Sequence, residues 1–478
     1  MEVGERARSA AGLLAGPILF LLVLALPAPV GMPPAAARVL ALTLWMATWW
    51  LSVPVPLEAT ALLPLVVLPL LGTATFERAA APYANPVIFL FLGGFFLAAA
   101  MERWGLHRRV AYAILHVVGT DARRVVLAFM AATCFISMWI SNTATAVMMM
   151  PMAVAVLALV EGPRARPLGV AMVLGVAYAA SIGGMATLIG TPPNAIFAGA
   201  VRQLYQREFG FGEWMRVGVP VMLVMLPACW LLLTTLFPAH GQIPGLAERV
   251  HGERRGLGPL AGAERFTLVV FLAAVTLWVF RDPKDLGAMT IPGVATWLPA
   301  VTDSGIAIAA ALALFLVPVS WSRWEFALDW PTAARAPWGM LLLFGGGLSL
   351  ADAFQSSGLS SWIGGLLGGM AGQPTVVVVA VVCIVFVALS ELASNAAVAA
   401  MAMPLLSGIA PALGQPPVLL MQVAALAASV SFLLPVSTPP NTVAFATGRV
   451  SVREMAKAGI WMDVVSVVVI TAVVMLLA

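Results

Sequence analysis

The tripeptide Ser141-Asn142-Thr143 lies inside an apolar run from Val125 to Val160, and 253 positions later Ser394-Asn395-Ala396 lies inside another, from Val376 to Leu406. Lipid cannot satisfy amides and hydroxyls at membrane depth. A chain with one such cluster in each half must therefore pack them against protein or around a polar guest.

The same offset of 253 carries Gly93-Gly94 onto Gly346-Gly347, Gly105-Leu106 onto Gly358-Leu359, Ser137 onto Ser390 and Pro151 onto Pro404. Thr191-Pro192-Pro193-Asn194 recurs as Thr438-Pro439-Pro440-Asn441 at an offset of 247, so the second copy is six residues shorter between its motifs. Taken singly, Ser, Asn and Thr are ordinary helix caps and Pro-Pro an ordinary turn. Landmarks in matched order mark an internal duplication, and duplicated helical membrane proteins place their sites at the repeat interface.

With 62% hydrophobic and 10% charged residues, the chain is an all-α polytopic membrane protein and no soluble globule. A formal charge of +4, spread over short loops, reads as a topology signal and implies no nucleic-acid partner. Cys134, Cys229 and Cys383 each fall in an apolar segment without metal-ligand spacing. Candidate spans lie near 11–30, 37–53, 59–72, 86–103, 217–238, 265–281, 302–319, 336–353 and 455–478. Two longer stretches, 168–200 and 417–446, carry a Pro-Pro that must break the helix, which brings the count to about eleven. The stretches holding the tripeptides are too long for one span and polar in the middle; each reads as a re-entrant hairpin, about 122–162 and 373–412.

Basic residues orient this layout. A cytoplasmic N-terminus leaves Arg6, Arg8, Arg103, Arg108, Arg109, Arg123, Arg124, Arg164, Arg166, Arg249, Arg254, Arg255, Arg265, Arg323, Arg335, Arg449, Arg453 and Lys457 inside. Arg202, Arg207, Arg216, Arg281 and Lys284 fall outside, mixed with acids. The first hairpin then enters from the cytoplasm and the second from the exterior, as an inverted repeat requires, and the C-terminus is external. Ala35-Ala36-Ala37 after the first apolar run resembles a signal cleavage site, but removing that run would reverse the start of the charge pattern. The domains expected are membrane helices in 1–84, a first repeat in 85–239, a cytoplasmic linker in 240–264, further helices in 265–335 and a second repeat in 336–478.

A hard cation stripped of water needs several oxygens, and an unwound hairpin tip supplies backbone carbonyls beside Ser, Thr and Asn. The first half offers Ser137, Ser141, Asn142 and the Ile189-Gly190 break before Thr191; the second offers Ser390, Ser394, Asn395 and the break at Ser437. Cations held by these neutral ligands would leave positive charge in a low-dielectric place, and half-helix N-termini add more, which suits a bound anion. Glu391 is expected to be hydrogen-bonded between hairpin and neighbouring helices, with protonation coupling as the alternative. An enzyme is disfavoured because His107, His116, His240 and His251 lie outside the motifs, and a channel because closed hairpin tips suit occlusion.

The segments SMWISNTATAVMMMP, SIGGMATLIGTPPNAI, SNAAVAAMAMP and LLPVSTPPNTV resemble the divalent anion/sodium symporter family, and the likeness in motifs, repeat and span count covers essentially the whole chain. That resemblance implies a secondary transporter of a small divalent anion, foremost a C4-dicarboxylate such as succinate, coupled to sodium ions and using no organic cofactor. Exchange of dicarboxylates, or carriage of sulfate, is the alternative. It further implies a homodimer in a bacterial plasma membrane, each protomer with a scaffold and a transport domain moving like an elevator. One sodium site falls on Ser137, Ser141, Asn142 and the Gly190 backbone; the other on Ser390, the Ala393 backbone, Asn395 and the Ser437 backbone. Substrate contacts fall on Asn142, Thr143, Thr191, Asn395, Thr438 and Pro439. The chain departs at Ala396, where the family usually has threonine.

Overall fold

The structure, a computed structural model, describes residues 2–285, 290–366 and 372–477, with side-chain surroundings from residue 11 onward. The charges of Glu2, Arg6 and Arg8 thus lie on side chains outside the described ones. The chain opens with α1 (Glu2–Ala25), α2 (Pro34–Ser52), the short α3 (Leu57–Thr60), α4 (Leu63–Leu70) and α5 (Phe76–Ala80). A first set follows: α6 (Pro86–Arg103), α7 (Leu106–Val118), α8 (Ala122–Ser137), α9 (Asn142–Leu157), α10 (Ala165–Gly184), α11 (Pro192–Tyr205) and α12 (Phe211–Leu236). Between the sets lie α13 (Leu246–Gly256), α14 (Gly262–Val279), β1 (Lys284–Asp285), β2 (Thr290–Ile291), α15 (Val294–Trp297), α16 (Asp303–Leu316), β3 (Pro318–Ser320), β4 (Glu325–Phe326) and α17 (Trp330–Ala333). The second set is α18 (Trp338–Ser356), α19 (Leu359–Leu366), α20 (Thr375–Leu392), α21 (Asn395–Ala412), α22 (Pro417–Ala427), α23 (Pro439–Ala446) and α24 (Val452–Leu477). Both strand pairs are antiparallel and tiny.

The two sets repeat each other element by element. Glycines at left-handed φ, Gly105 at +68° and Gly358 at +78°, turn α6 into α7 and α18 into α19; Gly119 at +82° and Gly372 at +90° precede the two hairpins. The sets also exchange partners: α9 packs on α23 and α21 on α11, while α10 packs on α23 and α22 on α11. At the centre α10 is buried on every side from Leu168 to Gly184, which its Gly, Ala and Val content allows at close range. Gly93 and Gly346 serve the same end, since a Cβ would meet Ala307 at 2.6 Å or the Ala61 carbonyl at 2.3 Å.

Among the described residues seven helices are long and apolar enough to cross a membrane, with shorter apolar ones between them. Segment 86–103 begins and ends where the sequence puts it. Segment 59–72 does not form one helix: Pro64, at the start of α4, leaves α3 and α4 separated by a turn. Segment 302–319 stops at Leu316, because Pro318 starts β3. The linker is not a plain loop either. It contains α13, and its Gly241 and Ile243 bond to Ala122 and Thr120 at the foot of the first hairpin, at 2.8 and 2.9 Å.

Ion pairs gather at two ends. Arg103–Asp329 at 2.7 Å, Arg108–Glu253 at 3.6 Å and Arg109–Glu264 at 2.7 Å tie α6 and α7 to the segments around α13, α14 and α17. Arg281 meets Glu208 at 2.6 Å and Asp303 at 3.4 Å among the loops assigned outside. The sequence partition overlooked Arg38 and Arg78. The first caps the Leu71 carbonyl at 2.9 Å and the second pairs with Asp352 at 3.0 Å.

Candidate functional site

Four helices begin at one cavity of about 390 Å³: α9 after Ser141, α21 after Ser394, α11 after Thr191 and α23 after Thr438. The local sequence dictates three of these starts. Ser141 Oγ accepts from Ala144 N at 3.3 Å and Thr438 Oγ1 from Asn441 N at 3.4 Å, while Pro192 and Pro439 open their helices where no N–H is needed. The asparagine closing each Thr-Pro-Pro-Asn motif has a different task from the threonine. Asn194 Nδ2 donates to the Gly184 and Thr187 carbonyls at 3.0 and 2.7 Å, and Asn441 Nδ2 to those of Ser431 and Leu434 at 3.0 Å each. These staples hold each unwound stretch against the helix it left.

Of the residues singled out by sequence, Ser141, Asn142, Thr143, Gly190, Thr191, Ala393, Asn395, Ser437, Thr438 and Pro439 line this cavity. Ser137 and Ser390 lie behind it, fully buried. Ala396 and Ser394 line it as well. The facing wall is Val53, Phe91, Phe95 and Met340, from the end of α2, α6 and α18. Among the described lining residues Glu391 alone carries a formal charge. The polar groups therefore all come from the hairpins and broken helices, and apolar groups from the rest.

In the first half the inner end of the Asn142 amide faces acceptors and its outer end faces donors. With its nitrogen turned inward it donates to Ser137 Oγ at 2.9 Å, the Ala180 carbonyl at 3.0 Å and the Gly190 carbonyl at 3.3 Å. Rotating that amide by half a turn presents its oxygen to the same cluster, the donor set a small hard cation takes. Gly184 makes room for it, because a Cβ there would stand 2.3 Å from the end of the Asn142 side chain.

The second half is built alike, with additions. Ser390 Oγ bonds to the Val430 carbonyl and lies 2.9 Å from Ser431 Oγ, which is itself 3.0 Å from Asn395 Oδ1. Glu391 Oε1 accepts from Phe432 N and Leu433 N at 2.6 and 2.9 Å, and Oε2 from Ser437 Oγ at 2.7 Å. Asp463 of α24 lies near the Glu391 carboxyl, and its buried Oδ1 has no hydrogen-bond partner among the described residues. Sequence reasoning missed Ser431 and Asp463. Their signal lay in the duplication: Gly218 and Gly459 abut the two breaks equivalently, against Met185 and Phe432, so α12 and α24 align with Met222 opposite Asp463. With Met138 opposite Glu391, an apolar pair in one half is an acidic pair in the other.

Comparisons with known proteins agree with one another. The family described as sodium:sulfate symporter transmembrane region matches residues 7–477. The sodium-dependent dicarboxylate transporter SdcS of Staphylococcus saprophyticus is 40% identical over 475 residues, covering 97% of this chain and 90% of that protein. SdcS of Staphylococcus aureus is 39% identical over 476 residues, with the same coverages. Among solved structures, the Alcanivorax borkumensis YdaH transporter superposes with a TM-score of 0.58 at 16% identity, over 91% of this chain and 97% of that one. At that identity the likeness speaks for the fold.

Proposed function

The chain belongs to the sodium:sulfate symporter family, and from that membership we propose that it carries a C4-dicarboxylate of the succinate type across a bacterial plasma membrane, driven by co-transported sodium ions. It is an integral membrane protein of a transporter family. The relatives at 40 and 39% identity bear the name sodium-dependent dicarboxylate transporter.

One observation carries the mechanism: four helix N-termini and a set of neutral oxygens converge on a cavity that no lysine or arginine lines among the described residues. A dianion there is neutralised by cations that travel with it, because helix ends are dipoles whose effect fades within a turn and which add no net charge to the complex. One sodium ion is held by Ser137, Ser141, Asn142 and the Gly190 carbonyl; the other by Ser390, the Ala393 carbonyl, Asn395 and the Ser437 carbonyl. The anion lies between Asn142, Thr143, Thr191, Asn395, Thr438 and Pro439. Each asparagine thus faces cation and anion together, which makes binding of one depend on the other. The membrane potential adds a reason. A dianion entering against 100 mV costs about 4.6 kcal/mol, two sodium ions cancel that term, and a third makes uptake electrogenic.

The division of the cavity wall supports movement of the site as a unit. Hairpins and broken helices carry every polar lining group, and they face Val53, Phe91, Phe95 and Met340, a surface without hydrogen bonds to break when it is slid past. The helices of 1–84 and 265–335 serve as scaffold in a homodimer, with the N-terminus cytoplasmic and the C-terminus external.

Uptake of labelled succinate into proteoliposomes, with and without an inward sodium gradient, tests this reading. Sodium-dependent accumulation supports it. Uptake that needs internal dicarboxylate and ignores sodium would make the protein an exchanger, and preference for sulfate would move the substrate to an inorganic dianion.

A further inference from the structure

The two cation clusters are not copies. Thr191 and Thr438, Asn194 and Asn441, and the carbonyls that those asparagines grip all stand 247 apart, so Ser431 occupies the place of Gly184. In the first half that place holds no side chain, and none fits beside Asn142. In the second half it holds a fully buried hydroxyl. Ser431 Oγ lies 2.9 Å from Ser390 Oγ, 3.0 Å from Asn395 Oδ1 and 3.1 Å from the Ser390 carbonyl. A hydroxyl has one proton to give, and here it meets several oxygens at once. Ser390 does not relieve the crowding, since its own proton has the Val430 and Val387 carbonyls to serve. The cluster holds more lone pairs than hydrogens, a composition that a bare cation completes.

Resting on the sodium-coupled reading above, we propose that Ser431 supplies the second cation site with an oxygen that has no counterpart in the first, so that the two sites bind sodium with unequal strength and selectivity. Sodium takes more oxygens than the smaller lithium ion. A site that loses one ligand gives up affinity for sodium first, and its preference for sodium over lithium falls.

The test uses the purified full-length protein in lipid nanodiscs without substrate, following thermal unfolding while sodium or lithium is titrated against choline. A ligand that binds the folded state alone raises the melting temperature, and the midpoint of that rise reports affinity. Ser431→Gly reproduces the first half's geometry and Ser431→Ala keeps the Cβ. Both are expected to raise the sodium midpoint about ten-fold, shift the lithium midpoint less, and leave the melting temperature in choline near that of the wild type. An unchanged sodium midpoint in both variants overturns the proposal. So does a drop in the choline melting temperature with no change in midpoint, which assigns Ser431 to the fold alone. A wild type that melts identically in sodium and choline overturns the sodium reading, and this inference with it.

Discussion

The Tyr178 hydroxyl donates to the Phe432 carbonyl at 2.8 Å, joining the buried helix of one half to the unwound stretch of the other. Their rings also pack, with centroids 4.7 Å apart. Tyr178→Phe keeps the ring and leaves that carbonyl without the phenol. The melting temperature in detergent is expected to fall, reflecting about 1 to 3 kcal/mol, while sodium-dependent uptake persists. Equal melting temperatures would mean that the link does not hold the halves together.

Asn142→Ala and Asn395→Ala are each expected to abolish uptake with the folded protein intact by size-exclusion chromatography. In the proposed site each asparagine serves cation and anion at a hairpin tip, and alanine supplies neither the amide oxygen nor the N–H. A variant with near-normal uptake would remove it from the site.

Gly184→Ala pushes a methyl group to where the end of Asn142 lies, 2.3 Å away, from a helix that is buried all round. Overpacking of this kind costs about 1 to 3 kcal/mol, and here the strain falls on a cation cluster. Uptake at low sodium is expected to fail before expression does. Full activity with an unchanged sodium dependence would contradict the proposed placement of the first cation.

Ala396 lines the cavity without a hydroxyl, whereas Thr143 supplies one in the matching place of the first half. A hydrogen bond to a charged group is worth about 1.5 to 3 kcal/mol, so Ala396→Thr is expected to tighten succinate about ten- to a hundred-fold and Thr143→Ala to weaken it. Competition by sulfate, measured on both variants, shows whether the pocket has adapted to another anion. No change for either anion would mean that position 396 does not touch substrate.

Single cysteines check the orientation. Gly119 and Gly372 have positive φ and would strain a side chain, so their exposed neighbours Val117 and Gln373 are the better sites. In a chain lacking the buried Cys134, Cys229 and Cys383, Val117→Cys is expected to label from the cytoplasm and Gln373→Cys from the exterior. Labelling of both from one side would overturn the inversion.

Much of this architecture was legible because duplication turns weak signals into paired ones. Hairpin arms and left-handed glycines appear twice at an offset of 253 and the breaks at 247, and the elements fall where those offsets put them. Local rules failed where proline spacing decided the outcome, as in α3 and α4, and where a mostly exposed linker helix formed with only Leu246 and Val250 buried. The site was less legible than the fold for a related reason. Reading by symmetry finds what the halves share and passes over what they do not. Ser431 and Asp463 have Gly184 and Met222 as counterparts, so no motif drew attention to them. Glu391 was noticed as a charge, but its two backbone donors lie 41 and 42 residues away, beyond any local pattern.

The absence of lysine and arginine from the described cavity lining has a consequence for fidelity. A carrier with a permanent cationic counter-ion would carry its anion as a neutral load and recross empty with an unpaired charge. With the proposed load of sodium and dianion, the balancing is left to the cargo and to Glu391, so that either ion without the other changes the net charge that must pass through a low-dielectric passage. On that reading slippage is opposed by the net charge of an incomplete load.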